Sequence, residues 1–445
     1  MDKAQREDLA RRVLAFSNSA QTEVLVQDAR FDLTRFTHNA IHQNVSSDDV
    51  SVSVRAILPG GRIGVARTNV HDQESLRDVV RRAADLAAFA PEDPLVPRLP
   101  GGSAIDAAPE DAFVKATAQT GPEDRARMCA SIFQSAEPDD LWAAGYVTTS
   151  HAGVAIANTS GTFLSFEGTD AGVNVKMNAA NSTGFGEAYD TDVRRIDAGK
   201  VGSVSAAKAR NSAQPAVVDP GAWTVILEPA AFGELFSYVA DHFSAQAFDE
   251  GSSFLTGAMG ATVLGENVTI SDDYAHKLNP GMPFDWEGQP TQRIPLVEHG
   301  IAKNIVTDSY WANKLKRENT GHALPAPNAD GPQASHLVVS PGTKTTSELI
   351  AETKRGLLIS RFWYIRTVDQ KHAIVTGMTR DGTFLIEDGH ITRGVRNMRF
   401  NQSIIESLKQ CVFSNELRRT GGYSYSLVVP TAKIENFTFS SGTDF

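Results

Sequence analysis

The chain predicts an α+β fold in two domains, with mostly antiparallel sheets, inserted helices and a strand-rich C-terminal half. Runs of branched and aromatic residues are separated by Gly, Asp and Pro turn signals, a pattern of hairpins rather than of βαβ units. Helical periodicity appears in isolated blocks. A length of 445 residues exceeds what one core normally holds, and residues 211–221 (NSAQPAVVDPG) have linker composition. The expected domains are therefore 1–210 and 222–445, joined by 211–221.

In chain order, Leu9, Val13 and Phe16 place a helix over 8–16. Strands follow at 23–28, 31–37, 50–58 and 62–67, the last pair joined by Pro59-Gly60-Gly61. Residues 74–89 form an amphipathic helix whose apolar face carries Leu76, Val79, Val80, Ala83, Leu86 and Ala87. A Pro-, Gly- and Asp-rich connection spans 90–111, and Pro122 opens a helix that continues through 133. Strands are expected at 145–149, 153–157, 162–166 and 172–177, then a helix at 197–209. Beyond the linker come a strand at 223–227, a helix at 229–239, and mostly strands and turns after Val268, with helices at 347–354 and 404–411. Residues 356–392 read as a three-stranded meander, with strands 357–366, 373–379 and 383–386. Its Asp381-Gly382 and Asp388-Gly389 pairs are turn signals.

A formal net charge of −11 argues against nucleic acid or anionic membrane as a partner. The pairs Arg11-Arg12, Arg81-Arg82 and Arg194-Arg195 read as solvated faces. Two distant cysteines, Cys129 and Cys411, make neither a disulfide framework nor a Cys-rich zinc site. Cys129 sits beside Met128, Ile132 and Phe133 and reads as a buried thiol. The first residues lack a signal peptide's basic start and apolar core, and no run of apolar residues is long enough to span a bilayer. A cytoplasmic location is expected. Gly-x-Ser-x-Gly and phosphate-loop motifs are absent.

Several separated words resemble the TldD/PmbA family, zinc-dependent peptidases once described as modulators of DNA gyrase. They are Thr34-Arg35-Phe36 with Asn39-Ala40-Ile41-His42-Gln43-Asn44, Asp285-Trp286-Glu287-Gly288 with Thr291-Gln292-Arg293, and Asn319-Thr320-Gly321-His322-Ala323. Ser360-Arg361-Phe362-Trp363-Tyr364, Met378-Thr379-Arg380-Asp381-Gly382-Thr383-Phe384 and Phe400-Asn401-Gln402-Ser403 complete the set, with 430–442 similar to the family's final strand. The resemblance implies a catalytic subunit with H-E-x-x-x-H, two histidines on one zinc and a glutamate activating water. By position, Glu228 and Gly233 stand here in place of the histidines, and Pro229 in place of the base. No metal ligand, cofactor or catalytic residue is therefore assigned.

What remains is a PmbA-like, non-catalytic subunit. The resemblance implies partnership with a TldD-type subunit in a heterodimer that acts on unfolded or extended peptides; a homodimer is also compatible. Arg35, Asn39, His42, Gln43, Asn44, His322 and Arg380 are the candidates for substrate or partner contact. His38 and His42 share a hairpin and could bind a metal or a peptide backbone, although a solvated hairpin explains them more simply. Glu228, Glu234, Asp241 and His242 could form a carboxylate–imidazole site, against the simpler reading of an exposed acidic helix face. Alternatives to the subunit role are an autonomous hydrolase with a relocated site and a regulatory protein acting on gyrase or a toxin–antitoxin pair.

Overall fold

The computed structural model describes residues 1–19, 21–102, 104–421 and 426–443. The first domain contains α1 (Lys3–Leu14), β1 (Gln21–Thr37), β2 (Ala40–Leu58), β3 (Arg62–Thr68), α2 (Gln73–Phe89), the single turn α3 (Lys115–Ala118) and α4 (Pro122–Gln134). It continues with β4 (Trp142–Asn158), β5 (Phe163–Asn178), β6 (Thr183–Asp190) and α5 (Ala198–Asn211). The strands form one antiparallel sheet in the order β3-β2-β1-β4-β5-β6. Helix α1 begins earlier than the apolar period indicates, because a capping box between Asp2 and Gln5 starts it in polar sequence.

Three expected strand pairs, 23–28 with 31–37, 145–149 with 153–157, and 162–166 with 172–177, are each one long strand. Asp28, Gly153 and Glu167 lie side by side across β1, β4 and β5, where the sequence looks broken. The fully buried Arg6 bonds Asp28 at 2.7 Å and also pairs with Glu167. A Cβ on Gly153 would lie 2.0 Å from the Arg6 guanidinium. The arginine thus neutralises both carboxylates inside the sheet and lets the ladder continue. Strand β6 carries no apolar alternation. Its Gly184 lets α5 approach so closely that a Cβ would meet the Ser205 carbonyl at 2.1 Å.

The second domain contains β7 (Gly221–Leu227), α6 (Pro229–Phe236), α7 (Ala245–Asp249), β8 (Ile270–Asp272), β9 (Ile294–Glu298), β10 (Ile301–Ala302), α8 (Ser309–Leu315), β11 (Leu337–Val339) and α9 (Thr346–Ala351). It ends with β12 (Arg355–Asp369), β13 (Ile374–Glu387), β14 (His390–Gly394), β15 (Met398–Ser403), α10 (Ile404–Lys409), β16 (Cys411–Gly421) and β17 (Ser426–Gly442). Strands β17, β15, β13, β12 and β7 close into a ring, because β7 pairs with both β12 and β17. Phe362, Phe400, Phe437 and Phe439 stack within the core there, with ring centres 4.7–5.8 Å apart.

The meander needs one correction. Asp388-Gly389 does form a two-residue turn with positive φ at both positions, joining β13 to β14. Asp381-Gly382 does not turn the chain. It is a bulge inside β13, with φ +53° and +131°, opposite a register slip in β12. The linker is also more ordered than its composition implies, since Ala216 bridges Val395 and bonds Gly394 and Arg396.

The Asp285–Gly288 word joins the two domains. Arg55 on β2 bonds Glu23 at 2.8 Å and, across the seam, Glu287 at 3.0 Å. Asp285 accepts the backbone N–H groups of Glu287, Gln289 and Ala323. Asn319 and Thr320 tie into the same knot through Ser309 and Thr307. These family words hold the architecture in place.

Candidate functional site

Strand β7 pairs with β12 only at Leu357, Leu358 and Ile359, so beyond Ile359 that edge of β12 has no strand beside it among the described residues. Helix α6 fills the gap. Pro229 opens it, Ala231, Phe232, Leu235 and Phe236 go into the core, and a 3₁₀ turn extends it over Ser237–Phe243. Glu234, Ser237, Tyr238 and Asp241 face β12 across a cleft of about 570 Å³. Two side chains cap the strand's edge. Phe362 N–H donates to Glu234 Oε2 at 2.8 Å, and the Tyr238 hydroxyl donates to the Ile365 carbonyl at 2.7 Å.

Exposed Trp363 and Tyr364 form the rim. The Arg361 and Arg380 guanidiniums lie 5.4 and 5.1 Å from the Trp363 ring, and Arg366 lies 4.2 Å from that of Tyr364. Tyr364 has φ +56°, in the left-handed region, beside a register slip between Trp363 and Arg366. Such a conformation costs about 1 kcal/mol or more for a bulky residue and is held by its surroundings.

Behind the cleft, charged groups from both domains meet. Arg361 reaches Glu234 at 3.4 Å and Asp381 at 3.8 Å, and its guanidinium stacks on Phe185 of β6. Lys176 approaches Asp381 at 3.5 Å, and Lys208 pairs with Glu228 at 2.6 Å. Burial, reinforced by the Glu234 charge, pushes the Glu187 carboxyl up to about 8. Burial likewise lifts Glu234 to about 7, opposed by Arg361 and the Phe362 N–H. The seam therefore holds two carboxyl groups that titrate near neutrality.

The candidates named from sequence do not converge on this cleft. Asn39 forms the β1–β2 turn with His38, and its amide bonds the Leu141 carbonyl and the Ala143 N–H. Asn44 accepts from Thr34 and Arg125, while Arg35, His42 and Gln43 are exposed on the same hairpin. His38 stacks flat on Trp142. His322 is buried, with Nε2 3.3 Å from Asp272 and Nδ1 2.8 Å from the Thr320 carbonyl, so its ring offers no open face to a ligand. Arg380 does border the seam, 4.0 Å from Asp381. The expected acidic face at 234–242 is divided. Asp241 is exposed, Glu234 is tied to β12, and His242 is buried against Phe254 with its pKa lowered to about 4 by desolvation. Glu187 and Tyr238 went unremarked in the sequence, since nothing local marks a residue that matters through a partner across the domain seam.

Two family profiles match the chain. One, described as PmbA/TldA metallopeptidase domain 1, covers residues 22–87, and the other, described as the PmbA/TldA metallopeptidase C-terminal domain, covers 220–441. The chain belongs to the TldD/PmbA family. Among its relatives, an uncharacterised protein of Methanocaldococcus jannaschii is 31% identical over 48% of this chain and 50% of its own length. A protein of Haemophilus influenzae named as a metalloprotease PmbA homologue is 30% identical over 42% of this chain and 39% of its own length. The chain thus spans about half or less of these relatives. The fold extends further: TldE from Thermococcus kodakarensis superposes with a TM-score of 0.87 at 22% identity, over 98% of this chain and 99% of that one. A candidate modulator of a DNA gyrase from Thermotoga maritima gives 0.85 at 18% identity, over 98% and 100%.

The zinc implied for TldD/PmbA peptidases does not fit the residues at the corresponding place. A Cβ on Gly233 would stand 2.4 Å from Thr420 Oγ1, so the position of the second histidine is filled from β16. The Glu228 carboxylate is paired with Lys208, and Pro229 offers no proton acceptor. Among the described residues, no three His, Cys, Asp or Glu side chains form a group that could hold a metal ion. The motif position therefore offers zinc no pair of ligands.

Proposed function

We propose that this chain is a non-catalytic, PmbA-like subunit of a TldD/PmbA-type metallopeptidase, working in the cytoplasm beside a subunit that carries H-E-x-x-x-H. The observation that carries this reading is the filled motif position, where Thr420 occupies the space a ligand would need and Lys208 engages Glu228. The substrate class is an unfolded or extended peptide. The cleft between α6 and β12 supports that class, because its exposed rim of Trp363 and Tyr364 offers stacking surface to a chain lying in it, while Glu234 and Tyr238 occupy the strand's own donor and acceptor. Arg380 and the exposed hairpin residues Arg35, His42 and Gln43 are the accessible candidates for contact with peptide or partner, while Asn39, Asn44 and His322 make contacts within the chain.

The test is metal analysis and peptidase assay of the purified chain, alone and mixed with an H-E-x-x-x-H homologue. The expected result is no stoichiometric zinc and no cleavage alone, with chelator-sensitive cleavage of an unfolded peptide in the mixture. Stoichiometric zinc on the isolated chain, together with cleavage that a chelator abolishes, overturns it.

A further inference from the structure

We infer that a cationic pocket in the seam between the domains, at the Arg361 end of the cleft, binds a carboxylate group of an extended peptide. The inference rests on the peptide reading of the cleft and adds where such a chain is gripped. A second cavity, of about 460 Å³, opens between β5 with the turn after it and the Asp381-Gly382 bulge of β13. Lys176 enters it from β5, Arg380 from β13 and Arg396 from the connection between β14 and β15. Asp381 is the one acid among its described lining residues. The chain as a whole carries −11, so three cations around one acid run against its overall charge.

Asp381 leaves these cations underused. It is 3% exposed, yet Lys176, Arg361 and Arg380 stop 3.5, 3.8 and 4.0 Å from its oxygens, and none of them donates a hydrogen bond to Oδ1. Charge-assisted bonds normally close to about 2.7–2.9 Å. Thr383, on the other side of the bulge, is 2% exposed with its hydroxyl unpartnered among the described residues. The Arg396 guanidinium is exposed and makes no ion pair or hydrogen bond among them. Ammonium, guanidinium and hydroxyl are all donors to a carboxylate, and a buried hydroxyl without a partner calls for one. Because Asp381 stays in the wall and repels a dianion twice as strongly, a singly charged carboxylate suits the pocket better than a phosphate. The cleft leads to it. Arg361 lines the cleft and stands opposite Arg380 in the β12–β13 ladder, and Arg380 lies between the pocket and the Trp363 rim, 5.1 Å from that ring.

Isothermal titration of the full chain with an N-acetylated ten-residue peptide of Ala, Ser and Tyr tests this in three forms. One ends in a free carboxylate, one in an amide, and one in an amide preceded by a single Glu. A carboxylate-bearing form should bind about tenfold more tightly than the plain amide. Preference for the free acid assigns the pocket to a peptide C-terminus, and preference for the Glu form assigns it to an acidic side chain. Arg396→Ala, at an exposed position that does not threaten the fold, should weaken the preferred form about threefold or more and leave the plain amide unchanged. Thr383→Val, which removes the hydroxyl at nearly constant shape, should act in the same direction. Equal affinity for all three peptides overturns the inference and spares the peptide reading, as does a carboxylate preference that Arg396→Ala and Thr383→Val both leave intact. Absence of binding by every form overturns both. Partnership with an H-E-x-x-x-H subunit is decided separately, by the zinc and cleavage measurements.

Discussion

Gly233 and Thr420 together decide the chemistry at the motif position. Gly233→Ala forces a methyl into the Thr420 side chain and should destabilise the protein by about 1–3 kcal/mol, seen as a lower urea midpoint. Thr420→Ala should recover most of that loss in the double variant, a coupling that independent sites would not show. The seam carboxyls give a second residue-level expectation. Glu187 and Glu234 have folded pKa values of about 8 and about 7, above the ordinary 4.5, so the native state holds these protons more tightly than the unfolded chain. The stability they contribute is complete below the ordinary value and is lost as pH rises through the folded values. Thermal melting should therefore decline from about pH 5 to about pH 9, and Glu187→Gln should flatten that profile.

Strand β12 shows how an element can keep an edge and still guard it. Glu234 and Tyr238 occupy one donor and one acceptor that a neighbouring strand would use. Glu234→Ala should speed amide exchange at Phe362 while leaving the paired Leu357–Ile359 amides protected, as read by hydrogen exchange. Elements are also where sequence reading had mixed success. The helix α2 was legible because its apolar face repeats without interruption, and Asp388-Gly389 was legible because the turn chemistry is local. Asp381-Gly382 carries the same local chemistry but sits where β12 slips register, so the long-range ladder turned a hairpin signal into a bulge. Arg6 hid two of the three continuous strands, β1 and β5, by cancelling the Asp28 and Glu167 charges that appeared to end them, while β4 passes the same point at Gly153. For the cleft, sequence supplied Arg361 within a family word and Glu234 as a candidate carboxylate but not their pairing, which exists only after α6 lies across β12.

At the scale of the whole molecule, the two domains are held in register by buried charge. Arg55→Ala removes the cation shared by Glu23 and Glu287 and leaves both carboxylates buried without it. The expected cost is about 3–5 kcal/mol, measured by denaturant unfolding, with earlier proteolytic cutting in the 211–221 connection. The five-stranded ring carries a different implication, about time. Its last strand, β17, pairs with β7, β11, β15 and β16, and brings Phe439 beside Gly221, where β7 begins. During synthesis the first domain can complete its sheet while the ribosome is still extending the chain. The second must keep β7, α6 and the cleft unfinished until β17 has emerged.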